Sequence, residues 1–156
     1  WALRDPASSY AKWFVGRTLS GGKWTPLPWM SNEFRDHCSF AQKYLSSAAM
    51  RISSTMRKHQ LKLADRQCRM SVLSSGLQDA IVILVTSLYA AKSEDEITRT
   101  AADAICRELR RRITGARASD GDFRQVTELG KKICVDGWTS LEGVTSGEIL
   151  MPYKRV

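Results

Sequence analysis

Residues 93–115, SEDEITRTAADAICRELRRRITG, give the clearest indication of the fold. Apolar residues recur there at spacings of three and four, the period of one face of an α-helix. Ser93 followed by Glu96 has the form of a capping box, and Gly115 is a typical helix terminator. The stretch therefore predicts a helix whose buried stripe consists of Ile97, Ala101, Ala104, Ile105, Leu109 and Ile113.

The segments that precede this helix have the same period. Asp5 and Pro6 form a helix start and Gly21-Gly22 a stop, which predicts a short amphipathic helix with Tyr10, Trp13 and Phe14 on one face. Two prolines predict an extended connector over residues 23–30. Ser31 then begins a second helix, whose stripe is formed by Phe34, Cys38, Ala41, Leu45, Ala48, Ile52 and Met56.

A third helix is predicted on the stripe Leu61, Ala64, Cys68, Val72, Leu77, Ala80, Ile81, Leu84 and Leu88. Its second half, Leu77 to Tyr89, is apolar on nearly all sides, which predicts that it is the most buried element. Neither proline nor glycine separates it from the second helix, but one helix over residues 31–91 would be about 90 Å long, too long for a compact domain. We therefore expect a turn between Arg57 and Gln60.

The last helix is predicted from Asp122 to Val135, on Phe123, Val126, Leu129 and Ile133, with Gly137 as its end. No stretch has the pattern of a strand. The sequence thus predicts an all-α protein, an antiparallel four- to five-helix bundle. Residues 1–30 would form a short helix and a Trp/Pro connector, 31–136 the bundle, and 137–156 an irregular tail.

The length of 156 residues corresponds to one domain. The longest uninterrupted apolar run, Ala80 to Val85, is far shorter than the roughly 20 residues of a membrane-spanning helix, so an integral membrane protein is not expected. The chain begins with Trp1 and shows no leader pattern. We expect it to be a piece of a longer protein, with catalytic residues outside it.

The four cysteines, Cys38, Cys68, Cys106 and Cys134, have no paired spacing, which argues against a zinc site. Each lies in an apolar stripe, so they are interpreted as reduced core thiols. His37 and His59 are interpreted as surface or boundary residues, with a catalytic Cys38–His37 pair left open.

The net charge of +8 is concentrated in clusters, the largest of which closes the helix of residues 93–115. Arg110, Arg111 and Arg112 are either a solvated helix end or an interface for an anionic partner. Trp24 and Trp29 either cover one end of the bundle or lie at a lipid or subunit interface. Carboxylates near apolar stripes, Asp65, Asp79, Asp103 and Glu108, are expected to face solvent or to pair with arginines at helical spacing, and no catalytic motif is present.

Two stretches, HQLKLADRQCRMSVLSSGLQDAI from His59 and TAADAICREL from Thr100, resemble the C-terminal helical extension of the very-long-chain branch of the acyl-CoA dehydrogenase family. The opening WALRDPASS and the closing SLEGVTSGEILMPY are similar to the flanks of that extension. The matching positions are mostly helix-packing residues, namely Gln60, Leu63, Ala64, Asp65, Leu73, Ser74, Cys106 and Glu108.

The resemblance implies a non-catalytic domain of an enzyme that oxidises fatty acyl-CoA with FAD. The catalytic glutamate and the flavin contacts would lie in a preceding core, so these residues would bind no cofactor and no metal. The implied partners are that core, a second subunit in a homodimer and a membrane surface, in the bacterial cytoplasm or at the inner-membrane face of the mitochondrial matrix. The alternative is a free-standing basic adaptor that binds nucleic acid or an acidic protein through its arginines.

Overall fold

The computed structural model describes residues 4–20, 28–59 and 67–141 of the chain. Their regular structure is entirely helical, which confirms the all-α prediction. The helices are α1 (Arg4–Ser20), α2 (Asn32–His59), α3 (Gln67–Ala90), α4 (Glu96–Thr114) and α5 (Asp120–Asp136), followed by a short 3-10 helix at Thr139–Leu141.

Helices α2, α3 and α4 enclose the core, and in this group of three each helix runs antiparallel to the one before it. Near the start of α2, Phe34 and Cys38 pack against Ala90 at the end of α3 and Ala102 at the start of α4. The next layer comes from the same three helices: Ala41, Ile83, Cys106 and Leu109. From the first layer to the second, the residue numbers rise along α2, fall along α3 and rise along α4. Helix α3 is therefore antiparallel to both α2 and α4, as in the predicted antiparallel bundle.

Helix α1 lies along the second half of α2. The hydroxyl groups of Tyr10 and Ser53 hydrogen-bond to each other, and the Arg57 guanidinium lies 4.6 Å from the ring centre of Phe14. The ring of Tyr10 is 5.6 Å from that of Trp13 and 6.2 Å from that of Phe14. The predicted aromatic face of the first helix is thus confirmed.

The N-terminal cap of α4 differs from the prediction. Asp95, and not Ser93, caps the helix: its carboxylate accepts hydrogen bonds from the backbone N–H groups of Ile97 at 3.1 Å and Thr98 at 3.2 Å. Ser93 accepts only from the N–H of Asp95, at 3.2 Å. The charged cap also complements the positive end of the helix dipole. At the other end Gly115, with φ of 75°, terminates α4 as predicted.

Helix α5 starts earlier than predicted, at Asp120, because Ser119 is its N-cap. The Ser119 hydroxyl and the Asp122 carboxylate form a reciprocal capping box, with Asp122 Oδ2 accepting from the Ser119 N–H at 2.8 Å. The helix ends at Asp136, and Gly137 follows it as predicted. The predicted loop over residues 116–121 is therefore shorter by two residues than expected.

Helix α3 is not the most buried element, contrary to the prediction. Val85 is 60% exposed and Tyr89 is 64% exposed, and Ile81 and Val82 are exposed on the same outer face. Among the helices of the described residues, α2 and α4 make the main contacts with α3, and they cover only its inner side. An apolar sequence on all sides does not ensure that neighbours cover all sides.

The same helix bears on the expectation that no segment could span a membrane. The helix Gln67–Ala90 is long enough and apolar enough to cross a bilayer, by length and composition only. Within this bundle, 22% of its most apolar 18-residue window is buried. Small polar residues such as Ser74, Ser75 and Thr86 interrupt the apolar runs without making the helix polar on average. Counting uninterrupted apolar residues therefore missed this property.

Two further expectations need correction. The turn predicted at Arg57 to Gln60 does not begin at Arg57, because α2 continues to His59; Gln60 and the predicted third-helix start at Leu61 lie outside the described residues. Cys38 and Cys106 are buried free thiols as expected, whereas Cys68 and Cys134 are free but exposed. Cys68 and Cys134 lie on parts of α3 and α5 that no described helix covers.

Candidate functional site

The most polar part of the interior is a buried histidine–carboxylate pair between α2 and α4. His37 is 3% exposed and Asp103 is 2% exposed, and Nε2 of the imidazole lies 2.8 Å from Oδ1 of the carboxylate. The other carboxylate oxygen, Oδ2, accepts from Nε of Arg107 at 2.8 Å and from Nε2 of Gln125 at 2.9 Å. The Asp103 carboxylate thus joins α2, α4 and α5.

Arg110, which lies one turn after Arg107 on α4, fixes the tautomer of the His37 imidazole. Nη1 of Arg110 lies 3.1 Å from Nδ1 of His37, and a guanidinium can only donate. Nδ1 is therefore the acceptor and Nε2 carries the proton that it donates to Asp103. The expectation that His37 is a surface residue is wrong: it lies three residues after Phe34, on the buried stripe of α2.

The carboxylate of Asp103 is held in its ionised form. Burial disfavours the charge, but the hydrogen bonds from His37 and Gln125 and the positive charge of Arg107 outweigh it, and together they lower the pKa of Asp103 from 3.8 to about 2. At the rim of the same network, burial and the nearby Asp103 charge raise the pKa of Glu33. The charges are thus arranged around one fixed carboxylate.

A Cys38–His37 catalytic pair is not what the geometry provides. A nucleophilic cysteine requires a thiolate, and burial raises the pKa of the Cys38 thiol despite a hydrogen bond with Ser87. Both ring nitrogens of His37 are engaged by Asp103 and Arg110. The network satisfies its own polar groups and connects helices, which is the arrangement of a structural centre.

The three consecutive arginines at the end of α4 point to three different helices. Arg110 contacts α2, where its guanidinium lies 4.8 Å from the ring centre of Phe40. Arg111 binds Asp122 of α5 at 3.0 Å and Glu108 of its own helix at 2.6 Å. The third arginine contacts α3. The three arginines of the predicted interface therefore contact three different helices and do not form one surface.

That third arginine, Arg112, lies 3.4 Å from the carboxylate of Asp79. Helical-spacing pairs were expected for the carboxylates, and Asp103 with Arg107 confirms this at i,i+4. Asp79 instead pairs across helices, and Asp65 lies outside the described residues. Sequence spacing finds pairs within a helix but not those between helices.

The two tryptophans proposed for an interface cannot be compared directly. Trp24 lies outside the described residues, whereas Trp29 is 54% exposed next to the buried Met30. The backbone carbonyl of Met30 accepts from Arg35 at 2.7 Å, which fixes this entry into α2. Trp29 therefore has much of its ring in solvent at the start of the bundle.

Two of the open grooves on the surface have mostly apolar walls. One, of about 640 Å³, lies between α4 and α5, and its apolar wall includes Ile105, Val126 and Phe123, which is 62% exposed. The predicted core stripe of α5 therefore lines a groove, and no residue of that helix is buried. The other, of about 680 Å³, lies between α1 and α2 and is lined by Trp13, Ile52 and Met56 among others.

Within residues 4–20, 28–59 and 67–141, no group of three or more His, Cys, Asp or Glu side chains could hold a metal ion. Comparison of the chain with protein-family models, with curated proteins and with solved structures gives no match. The functional interpretation therefore depends on the geometry of the chain itself.

Proposed function

We propose that this chain is a non-catalytic helical domain that docks on a larger folded protein through the outer face of α3. The observation that carries the proposal is the exposure of Val85 and Tyr89 beside Ile81 and Val82 on one side of the helix. Contiguous apolar surface of this kind is typical of contact sites for other proteins or membranes.

The composition of the face favours a protein surface over the interior of a bilayer. Its N-terminal half carries Ser71, Ser74, Ser75 and Gln78, all exposed, and its apolar side chains are confined to the C-terminal half. Protein interfaces combine an apolar centre with a polar rim, whereas a lipid-exposed helix is apolar along its whole length. A bilayer-spanning α3 would also place Asp79 in hydrocarbon.

The polar interior supports a structural role. Asp103 has donors on both carboxylate oxygens and His37 is engaged at both nitrogens, so these groups already have the partners that a substrate would otherwise supply. The arginines of the alternative adaptor are in part committed to Asp79, Asp122 and Glu108. Intramolecular pairing leaves fewer of them for nucleic acid.

The resemblance gives this proposal its specific form. The larger protein would be an FAD-dependent acyl-CoA dehydrogenase of fatty-acid β-oxidation, and the occupant of the α3 face would be its catalytic core within a homodimer, with peripheral membrane contact elsewhere. In that form the chain contributes stability and docking, while FAD and the catalytic glutamate belong to the core. Flavin absorbance of the full gene product tests this form separately.

Thiol labelling tests docking directly. Val85→Cys, made in a Cys68→Ser background, should react rapidly with a maleimide in the 156-residue chain and at least tenfold more slowly in the full gene product. The natural Cys134, exposed on α5, is the internal control and should react alike in both. Equal labelling of position 85 in the two proteins would exclude docking by α3, whatever the flavin content.

A further inference from the structure

A small cavity at the junction of α4 and α5 has an unusual concentration of positive charge. It has a volume of about 290 Å³, close to the lower limit of typical small-molecule sites, roughly 300 Å³. Its wall contains four arginines and a single carboxylate, Asp122, together with Phe40, Thr114 and Ala116; the arginines are Arg107, Arg110, Arg111 and Arg117.

Two of the four arginines are neutralised by carboxylates. Arg107 binds Asp103 at 2.8 Å and lies 3.9 Å from Asp122, and Arg111 binds Asp122 at 3.0 Å as well as Glu108. Asp122 is thus already paired, and its pKa is lowered by hydrogen bonds from Ser119 and by the arginine charges, although burial acts against this. The carboxylate in the wall does not neutralise the cavity further.

The other two arginines, Arg110 and Arg117, have no ion pair with any carboxylate of the described residues. Arg110 is half-buried and is held by His37 Nδ1 and by the face of Phe40. It uses one N–H donor in the hydrogen bond to His37 and has four others. A positively charged fork is therefore held in place before any ligand arrives, which reduces the entropy cost of binding.

Helix dipoles do not decide the sign of the potential in this cavity. The negative end of α4, at Thr114, and the positive end of α5, at Asp122, both border it. Each end is equivalent to roughly half a charge, and the two have opposite signs. The two full charges of Arg110 and Arg117 therefore determine the preference for an anion.

We propose that this cavity binds the phosphate group of a phosphate monoester. Two uncompensated guanidinium groups match a doubly charged oxyanion better than a carboxylate, and the planar guanidinium fork suits phosphate oxygens. The phosphate can belong to a soluble metabolite or to a lipid headgroup, since the chemistry at the arginines is the same. This site is independent of docking by α3.

The test uses the 156-residue chain and Arg117→Gln, because Arg117 is exposed and its replacement leaves the His37–Arg110 contact intact. NMR titration with inorganic phosphate at constant ionic strength should shift the Arg110 and Arg117 side-chain resonances, whereas chloride should not. Arg117→Gln should weaken binding roughly tenfold, the value of one charge-assisted hydrogen bond. Arg124→Gln, on the exposed side of α5 and outside the cavity, removes the same charge and should leave the affinity unchanged.

Two arms of the experiment distinguish the sources of the phosphate. Phenyl phosphate represents a soluble monoester, and vesicles of phosphatidylcholine with or without phosphatidic acid represent a headgroup. Binding in either arm that Arg117→Gln weakens and Arg124→Gln does not supports the site and identifies the source. Equal loss in both variants, or no binding in either arm, overturns the proposal.

Discussion

The imidazole Nε2 of His37 lies 2.8 Å from Oδ1 of Asp103, across 66 residues of sequence and inside the bundle. Arg107 and Gln125 bind the second carboxylate oxygen, so one carboxylate connects α2, α4 and α5. A buried network of this kind fixes helix register, because any shift leaves polar groups without partners. Its energetic importance can be measured by removing the central acid.

Asp103→Ala should lower the free energy of unfolding by about 3–5 kcal/mol, because it leaves N–H donors of His37, Arg107 and Gln125 without an acceptor, at about 1–3 kcal/mol for each buried donor. Asp103→Asn should cost less, about 1–3 kcal/mol, since the amide keeps one oxygen that can accept from His37. Urea unfolding followed by circular dichroism measures both. Glu128→Gln, on the exposed side of α5, is the control and should not move the midpoint. If Asp103→Ala behaves like this control, the network contributes nothing to stability.

The lowered pKa of Asp103 predicts a loss of stability in acid. Its pKa is about 2 in the folded chain against an ordinary 3.8, so the unfolded chain takes up a proton first as the pH falls. The stability due to this group is present above about pH 4 and is lost as the pH approaches 2. Urea midpoints measured across this range should fall steeply in the natural chain and less steeply in Asp103→Asn.

Other acids set the background of that experiment. The pKa values of Asp95 and Asp122 are also lowered, mainly by hydrogen bonds from Thr98 and from Ser119, and they add to the acid loss. Glu33 has a raised pKa, caused first by burial. The folded chain therefore takes up this proton before the unfolded chain does, and this group makes folding more favourable as the pH falls. Asp95 and Asp122 are unchanged in Asp103→Asn, so the difference between the two chains reports Asp103 together with the part of the Glu33 pKa shift that Asp103 causes. If the urea midpoints of the natural chain and of Asp103→Asn fall in parallel as the pH is lowered, the lowered pKa of Asp103 is contradicted.

The sequence predicted the features that depend on local structure. The terminating glycines Gly115 and Gly137 follow from backbone conformation, and the structure has them. Periodicity predicted the α2 stripe in part, because its first half is mostly buried from Phe34 to Ala48 whereas Met56 near its end is 51% exposed. The contact between His37 and Asp103 depends on which helices become neighbours, and no local pattern contains that information. One signal was available: His37 lies three residues after Phe34 and four before Ala41, on the stripe that α2 buries.

Burial of α3 could not be predicted for a related reason. Its apolar composition specifies no single buried face, so exposure depends on how many helices surround it. Two isoleucines that lie two residues apart test which face of α3 is buried: Ile83 is fully buried and Ile81 is 51% exposed. Ile83→Ala should lower the free energy of unfolding by about 2–5 kcal/mol. Ile81→Ala should change it by no more than about 0.5 kcal/mol. Equal losses in urea unfolding would mean that the outer face is covered in the isolated chain.

The start of α4 offers the sharpest local test, because two candidate caps lie two residues apart. Asp95 accepts hydrogen bonds from the N–H groups of Ile97 and Thr98, whereas Ser93 accepts only from Asp95 itself. Asp95→Ala should therefore lower the urea midpoint clearly, since it leaves two helix donors unpaired and removes a favourable charge from the dipole. Ser93→Ala should have a much smaller effect, and Asp95→Asn an intermediate one, because an amide oxygen still caps without the charge. A larger loss in Ser93→Ala than in Asp95→Ala would return the cap to the position that the sequence motif indicated.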